Sequence, residues 1–192
     1  MSIVRHIPRI LAALGLLALI WCGPGGLRPA LAQTPTPPTD AQVKAAMVYN
    51  LAKFVEWPGE SPADGASPLL VCWLGDGQLS TELQALQGKT IRNRPIVVRQ
   101  ARQPEEIGSC QLLVIDAAQR AQLPAILKLV RGSNTFAISD MQGFADAGGM
   151  LGFVTEAGRV RFEINLEAIN ATSLKVSSQV LSLAVSVKGG TY

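Results

Sequence analysis

The sequence predicts an α/β domain in which helices flank a mixed, mainly parallel open sheet that ends in a C-terminal antiparallel hairpin. Three observations support this fold class. Short apolar runs bounded by Gly or Pro alternate with helical patterns, which is typical of βαβ units. Right-handed crossovers between successive runs would make them parallel neighbours in one sheet. Near the end of the chain, Glu156-Ala157-Gly158 separates two further runs and is a hairpin signal.

Residues 1–32 have the features of a signal peptide. Two arginines precede an apolar run, Ile10 to Trp21, which suits a signal core and is short for a membrane span. Ala30-Leu31-Ala32 is a cleavage site of the A-x-A type. We therefore expect export across the membrane with cleavage after residue 32, although Arg28, unusual so near a cleavage site, leaves open retention as an anchor.

After the signal, residues 33–39 form a Pro/Thr-rich linker, and residues 40–188 are predicted to form one domain. Removal of residues 1–32 leaves about 160 residues, which is enough for one domain with its own core.

Charge and histidine content exclude several function classes. The full chain has 17 basic and 14 acidic residues, and the signal peptide removes three of the basic ones, so the mature net charge is zero. Nucleic-acid binding requires a basic stripe, and nothing in the sequence suggests one. The single histidine, His6, is lost with the signal. We therefore expect no histidine base or ligand, no catalytic residues, no cofactor and no metal site in this protein.

The first predicted element of the domain is a helix over Gln42 to Pro58. The segment Thr39 to Gln42 has the form of a capping box, and Pro58 is a plausible stop because it disfavours helical geometry in Trp57. The spacing predicts one apolar stripe, made of Val43, Ala46, Met47, Asn50, Leu51, Phe54 and Trp57.

The rest of the domain follows the alternating pattern. The predicted strands before the hairpin are Leu69–Leu74, Pro95–Arg99, Cys110–Ile115 and Thr135–Ser139. Helices are predicted near Gln78–Gln87 and over Ala118–Arg131. Met150–Thr155 and Arg159–Ile164 form the predicted hairpin, and helices over Asn165–Ala171 and Ser177–Val187 complete the domain.

Cys72 and Cys110 remain after cleavage, and a pair of cysteines in an oxidising compartment predicts a disulfide. In the chain-entropy model a loop of this length contributes about 4 kcal/mol. The bond is either a structural crosslink or a redox switch. The absence of a C-x-x-C arrangement favours the crosslink.

Asp76, Asp116 and Asp140 each follow an apolar strand. In an open α/β sheet, the carboxyl ends of the strands are where ligands bind, so these acids could hold a hard cation or meet a polar ligand. The alternative is that each one caps the helix or turn that follows it.

The last forty residues carry many apolar side chains, and most of them are expected in the core. Leu183 lies off the predicted stripe of the final helix, so it is a candidate for an exposed patch that binds a partner.

Several blocks of the sequence resemble the YfiR family of small periplasmic proteins of Gram-negative bacteria. The first is the string A-A-x-x-Y-N-x-x-K-F-x-x-W-P from Ala45 to Pro58. The others are the strand with Cys72, the segment Ile138–Met150, the R-F-E-I-N-L string of Arg161–Leu166, and Leu174–Ala184. Together they span nearly the whole mature chain.

The resemblance implies a repressor that binds the periplasmic sensor domain of an inner-membrane diguanylate cyclase and holds it inactive. Cyclic di-GMP and biofilm formation would then be low. It also implies that an outer-membrane lipoprotein can sequester the repressor, and that the protein forms a homodimer.

The resemblance also implies roles for particular residues. Cys72 and Cys110 match a cysteine pair of the family, whereas the second pair of its best-known member has no counterpart here. The residues expected to contact the partner are Glu163, Ile169, Leu174, Val176 and Leu181. The alternative to a repressor is a periplasmic carrier or sensor of a small ligand, with its site at the edge that Asp76, Asp116 and Asp140 would share.

Overall fold

The computed structural model describes residues 37–59, 67–131 and 133–190. The predicted signal peptide and residues 33–36 of the predicted linker lie outside the described residues. In chain order the elements are α1 (Asp40–Ala52), β1 (Val55–Glu56), β2 (Leu69–Leu74), α2 (Gln78–Leu83), β3 (Thr90–Ile91), β4 (Arg94–Gln100), α3 (Pro104–Ile107), β5 (Leu112–Ile115), α4 (Leu123–Arg131), β6 (Phe136–Ser139), β7 (Leu151–Glu156), β8 (Arg159–Asn165), α5 (Leu166–Asn170), β9 (Lys175–Val176), α6 (Ser178–Leu181) and β10 (Ser186–Lys188).

The predicted fold class is confirmed. Among the described residues, eight strands form one sheet in the order β10-β8-β7-β6-β5-β2-β4-β3. The pairs from β4 through β2, β5 and β6 to β7 are parallel, while β7 and β8 form the predicted antiparallel hairpin. Helix α1 packs against α2, and α3 packs against α4.

The central strands are buried on both faces. Every residue of β5 and β6 is buried, as expected for parallel strands covered by helices on each side. The apolar face of α4 packs on them through Leu123, Ile126, Leu127 and Val130, as the sequence predicts. The core therefore lies around the middle of the sheet and leaves its two edges to shorter strands.

Helix α1 begins as predicted but ends early. Thr39 and Gln42 form the capping box, with Gln42 N–H donating to Thr39 Oγ1 at 3.3 Å. The predicted end at Pro58 is wrong, because the helix ends at Ala52 and β1 follows. The helical spacing of apolar residues continues beyond Ala52. The chain nevertheless forms β1 there, because β1 can pair in antiparallel fashion with β9.

The buried face of α1 also differs from the predicted stripe. Its buried residues are Ala41, Ala45, Val48, Leu51 and Ala52. Three of these five are alanines, and small side chains let a helix lie close to its neighbours. Met47 and Phe54 pack only partly against the core, and Asn50 is exposed, so the larger apolar side chains do not define the buried face.

The predicted helix over Ser177–Val187 is also wrong. Only one turn, α6, is helical, capped by Ser177, whose hydroxyl accepts from Gln179 N–H. Residues 186–188 instead form β10, which pairs in parallel with β8. The alternation of Ser and Val in this segment suits a strand, and the open edge of β8 offers it a partner.

Two smaller features were not apparent in the sequence. The predicted helix over Ala118–Arg131 is a 3-10 helix as far as Gln122 and α-helical only from Leu123, next to Pro124, which has no N–H to donate. Strands β3 and β4 form a hairpin whose turn residues Arg92 and Asn93 both have positive φ, 50° and 66°.

In the part of the chain that the structure describes, none of the helices has the length and apolar character needed to cross a membrane.

Candidate functional site

The predicted disulfide joins Cys72 in β2 to Cys110, two residues before β5. The two Cα atoms are 5.9 Å apart. The two residues are 0% and 2% exposed, so a reductant cannot reach the sulfur atoms unless the domain opens. This burial favours a structural crosslink over a redox switch.

The carboxyl ends of β2, β5 and β6 form one edge of the sheet, and they bring together Asp76, Asp116 and Asp140, as predicted. Leu74, Ile115 and Ser139 are paired across the three parallel strands β2, β5 and β6, and the acids come one or two residues after them. They do not converge, however, on a group that could hold a metal ion within the described residues.

Each of these acids has a partner within the domain. The amide of Gln100 donates to Asp76 Oδ1 at 2.9 Å. The N–H of Ala118 donates to Asp116 Oδ1 at 2.8 Å, as the capping interpretation expects. Lys44 Nζ lies 2.9 Å from Asp140 Oδ2 in a partly buried ion pair.

Two glycines seat the carboxylate of Asp116. A Cβ atom built at Gly75 or Gly77 would collide with the Asp116 side chain, and Gly75 also has a φ of 110°. The Gly75-Asp76-Gly77 turn therefore closes tightly around Asp116. At this edge the acids serve mainly to fix turns and to hold α1.

A cleft of about 480 Å³ lies at the opposite end of the sheet. Its lining includes Trp57 and the residues just before β5 and β6, among them Cys110, Gln111 and Asn134. These residues lie at the amino ends of the strands, so the cleft is not at the end of the sheet where the three acids lie.

Two lysine side chains lie close to the ring of Tyr49, which belongs to α1. The ammonium groups of Lys53 and Lys89 lie 4.1 and 5.4 Å from the centre of its ring. Its hydroxyl donates to the carbonyl of Thr90 at 3.0 Å, and Arg92 donates to the carbonyl of Lys53 at 2.9 Å. These contacts tie the β3–β4 hairpin to α1, which gives these side chains a structural role.

The last part of the sheet has a different surface. Along β8 the side chains alternate, so that Phe162 and Ile164 are buried whereas Arg159 and Arg161 are exposed and Glu163 is half-buried. One face of β8 therefore packs on the core and the other faces solvent, as antiparallel sheets permit. Ser186 of β10, paired with Glu163, extends this open face.

Two leucines lie shortly before the point at which the chain joins β8, where Val185 N–H donates to the carbonyl of Phe162 at 2.9 Å. Leu183, in the turn between α6 and β10, is 61% exposed, and Leu181 is half-buried. The predicted exposure of Leu183 is confirmed. We call Arg159, Arg161, Glu163, Leu181 and Leu183 the C-terminal surface.

The charged side chains of the C-terminal surface have no partner among the residues that the structure describes. Within residues 37–59, 67–131 and 133–190, Arg159, Arg161 and Glu163 form no side-chain hydrogen bond or ion pair. They are available to another molecule, unlike the three acids that follow β2, β5 and β6.

The residues predicted to contact a partner fall into two groups. Glu163, Val176 and Leu181 are half-buried and reach the surface. Ile169 and Leu174 are 1% and 4% exposed and belong to the core, so we correct their assignment from direct contact to packing beneath the surface.

Sequence reasoning missed Arg159 and Arg161. The signal was present, because they alternate with Val160 and Phe162 at the period of a strand with one buried face.

Comparisons with known proteins complete this description. The sequence profile of the YfiR/HmsC-like family matches residues 41–185. A search of curated proteins finds no match. A solved structure of a conserved domain protein from Vibrio cholerae O1 biovar El Tor str. N16961 aligns with a TM-score of 0.54 at 9% identity, covering 80% of this chain and 62% of that chain. At this identity the likeness shows the fold alone.

A second structure, the ABC domain in complex with L-Trp from Streptococcus pneumonia, has a TM-score of 0.49 at 11% identity, with 77% of this chain and 60% of that chain covered. The chain thus spans less than two thirds of the length of each of these two proteins.

Proposed function

The chain belongs to the YfiR/HmsC-like family, and from this premise we propose that it represses an inner-membrane diguanylate cyclase by binding the periplasmic sensor domain of that enzyme. The family supports a periplasmic regulator of cyclic di-GMP signalling that acts with a membrane partner and is regulatory, not catalytic. The match over residues 41–185 is the observation that carries the proposal.

The C-terminal surface supports a binding role. The surface combines charged groups that have no partner among the described residues with one exposed leucine, Leu183. Protein partners bind surfaces that mix apolar and charged side chains. Arg161 and Glu163 on one strand face present both signs of charge, which can set the orientation of a partner. We assign the contact with the cyclase to this surface.

In this scheme the bound repressor holds the cyclase inactive, and cyclic di-GMP and biofilm formation stay low. An outer-membrane lipoprotein that sequesters the repressor would release the cyclase. The repressor itself acts as a homodimer, and no step requires catalysis or a cofactor in this chain.

The test is the level of cyclic di-GMP in a strain that lacks the gene. We expect the level to rise on deletion and to return to that of the wild-type strain when the gene is restored. An unchanged level in the deletion strain, with its diguanylate cyclases expressed, would contradict the proposal.

Two kinds of change could disable the repressor, and they differ in their effect on folding. Removing everything after Leu174 would take away β9, α6 and β10, including Val180, which is 2% exposed. Charge reversal at Glu163 or Leu183→Asp leaves the core intact and therefore tests binding more cleanly.

The alternative, a small-ligand carrier that uses Asp76, Asp116 and Asp140, has weaker support. All three carboxylates are engaged by Gln100, Ala118 or Lys44. A thermal-shift screen of metals and metabolites, with Asp140→Ala as the control, would favour the carrier if a ligand raised the melting temperature of the unmodified protein alone.

A further inference from the structure

The segment that carries the two leucines of the C-terminal surface is attached to the domain at its two ends. We call Lys175–Lys188 the C-terminal strap. At one end β9 pairs with β1, through Val55↔Val176 and Glu56↔Lys175, and at the other β10 pairs with β8. Within the strap, Val180 is buried and anchors α6, while the other residues are exposed or half-buried.

The first attachment is made by the residues that follow α1. After α1 ends, the carbonyl of Phe54 accepts a hydrogen bond from Ser177 N–H at 3.0 Å, and the β1–β9 pairing continues from there. The two-residue strand β1 therefore sets the position at which the strap leaves the core.

Trp57 fixes β1 to the centre of the domain. Its ring is 7% exposed, and its indole N–H donates to the carbonyl of Gln111 at 2.9 Å. The same carbonyl accepts from Phe136 N–H at 2.8 Å, and the side chain of Gln111 accepts from Leu70 N–H at 2.7 Å. Gln111 follows the disulfide residue Cys110, so Trp57 is anchored where β2, β5 and β6 are held together.

We propose that β1 and Trp57 are positioning elements for partner binding: they hold the C-terminal strap in the conformation that presents Leu181 and Leu183, the apolar part of the C-terminal surface. This inference rests on the proposed function. Residues of β1 need not touch the partner, because their effect passes through β9. A strap held by few core contacts depends on these edge hydrogen bonds for its position, and local opening should begin there.

A proline at residue 177 tests the attachment directly. Ser177 has a φ of −62°, which proline adopts without strain, but Ser177→Pro removes both the N–H that donates to Phe54 and the hydroxyl that caps α6. Ser177→Ala removes the hydroxyl alone and is the control for the cap. Ser178→Pro is the matched control, because residue 178 is the first of α6, where proline is favoured and the N–H has no acceptor within the helix.

Two measurements are made on each variant of the full exported protein. Hydrogen–deuterium exchange is followed in peptides that contain residues 55–56 and 175–176. Binding is measured to the periplasmic domain of one diguanylate cyclase. It is the cyclase whose deletion, in a strain that already lacks the repressor, abolishes the rise in cyclic di-GMP. For Ser177→Pro we expect exchange in these peptides to accelerate at least tenfold, and binding to weaken at least tenfold, relative to Ser177→Ala. Ser178→Pro should stay within twofold of the unmodified protein in both measurements.

A second variant keeps the inference testable if Ser177→Pro does not fold. Trp57→Phe keeps an aromatic ring but removes the donor to Gln111, and we expect the same local acceleration of exchange in β1 and β9. Unchanged exchange in the β1–β9 peptides, or accelerated exchange with undiminished binding, would overturn the positioning role. If the unmodified protein binds no cyclase domain while the exchange results are as expected, the proposed function fails and the attachment itself stands.

Discussion

Two regions of this molecule, the carboxyl ends of the parallel strands and the C-terminal surface, use charged residues in opposite ways. At the carboxyl edge of β2, β5 and β6, each acid has an intramolecular partner, such as Lys44 for Asp140. On the C-terminal surface, Arg159, Arg161 and Glu163 have no such partner among the described residues. From the sequence, the position of the acids at the ends of strands made a ligand site one interpretation and capping of the following turns the other. In the structure each acid is already engaged inside the domain, which leaves it less to offer a ligand.

The largest expected effect is the loss of stability when the disulfide is removed, because the disulfide stabilises the domain that carries both regions. Replacing Cys72 and Cys110 together by Ala should lower the free energy of unfolding by about 2–5 kcal/mol, because a buried crosslink between neighbouring strands is lost. Urea unfolding of the exported protein measures this loss. A loss below about 1 kcal/mol would show that the disulfide is not a structural crosslink.

A smaller effect is expected at the turn that closes around Asp116. Gly77→Ala would push a methyl group into the Asp116 carboxylate, and we expect a loss of about 1–3 kcal/mol in urea unfolding. Gly108→Ala is the matched control, since a Cβ there meets nothing within 4 Å. Equal stability of the two variants would contradict the assigned role of Asp116.

The ion pair between Lys44 and Asp140 should contribute less. Its side chains are 17% and 26% exposed, so Asp140→Asn is expected to lower the free energy of unfolding by roughly 0.5–1 kcal/mol. The loss should shrink in about 1 M salt, which screens partly exposed charges. Asp146→Asn, in the longer and more exposed pair with Lys188, should be neutral. If Asp140→Asn instead abolished repression at unchanged stability, the carboxyl edge would be functional and the comparison would fail.

Local signals in the sequence predicted much of the fold. The strand Leu69–Leu74, the capping box at Thr39 and the apolar face of α4 depend on neighbouring residues, and the structure confirms them. The failures at β1 and β10 have a shared cause. Val55 pairs with Val176, and Val187 pairs with Ile164, so these strands depend on contacts that no local period reveals.

The candidate site was predictable to a similar degree. The shared edge of the three acids followed from parallel strands, but their partners Gln100 and Lys44 come from other elements and could not be anticipated. Ile169 and Leu174 were expected to contact a partner because apolar residues in a binding segment and in a core look alike in sequence.

The most direct test of the central claim is to reverse one acid in each region. Glu163→Lys and Asp76→Lys are compared for cellular cyclic di-GMP in the deletion strain, with equal periplasmic amounts of each protein verified by immunoblot. Surface changes of this kind usually alter stability by less than about 0.5 kcal/mol, so a change in folding should not dominate. We predict that Glu163→Lys leaves cyclic di-GMP as high as in the deletion strain, whereas Asp76→Lys restores the wild-type level. Repression by Glu163→Lys together with its loss in Asp76→Lys would contradict the account and place the regulatory site at the carboxyl edge.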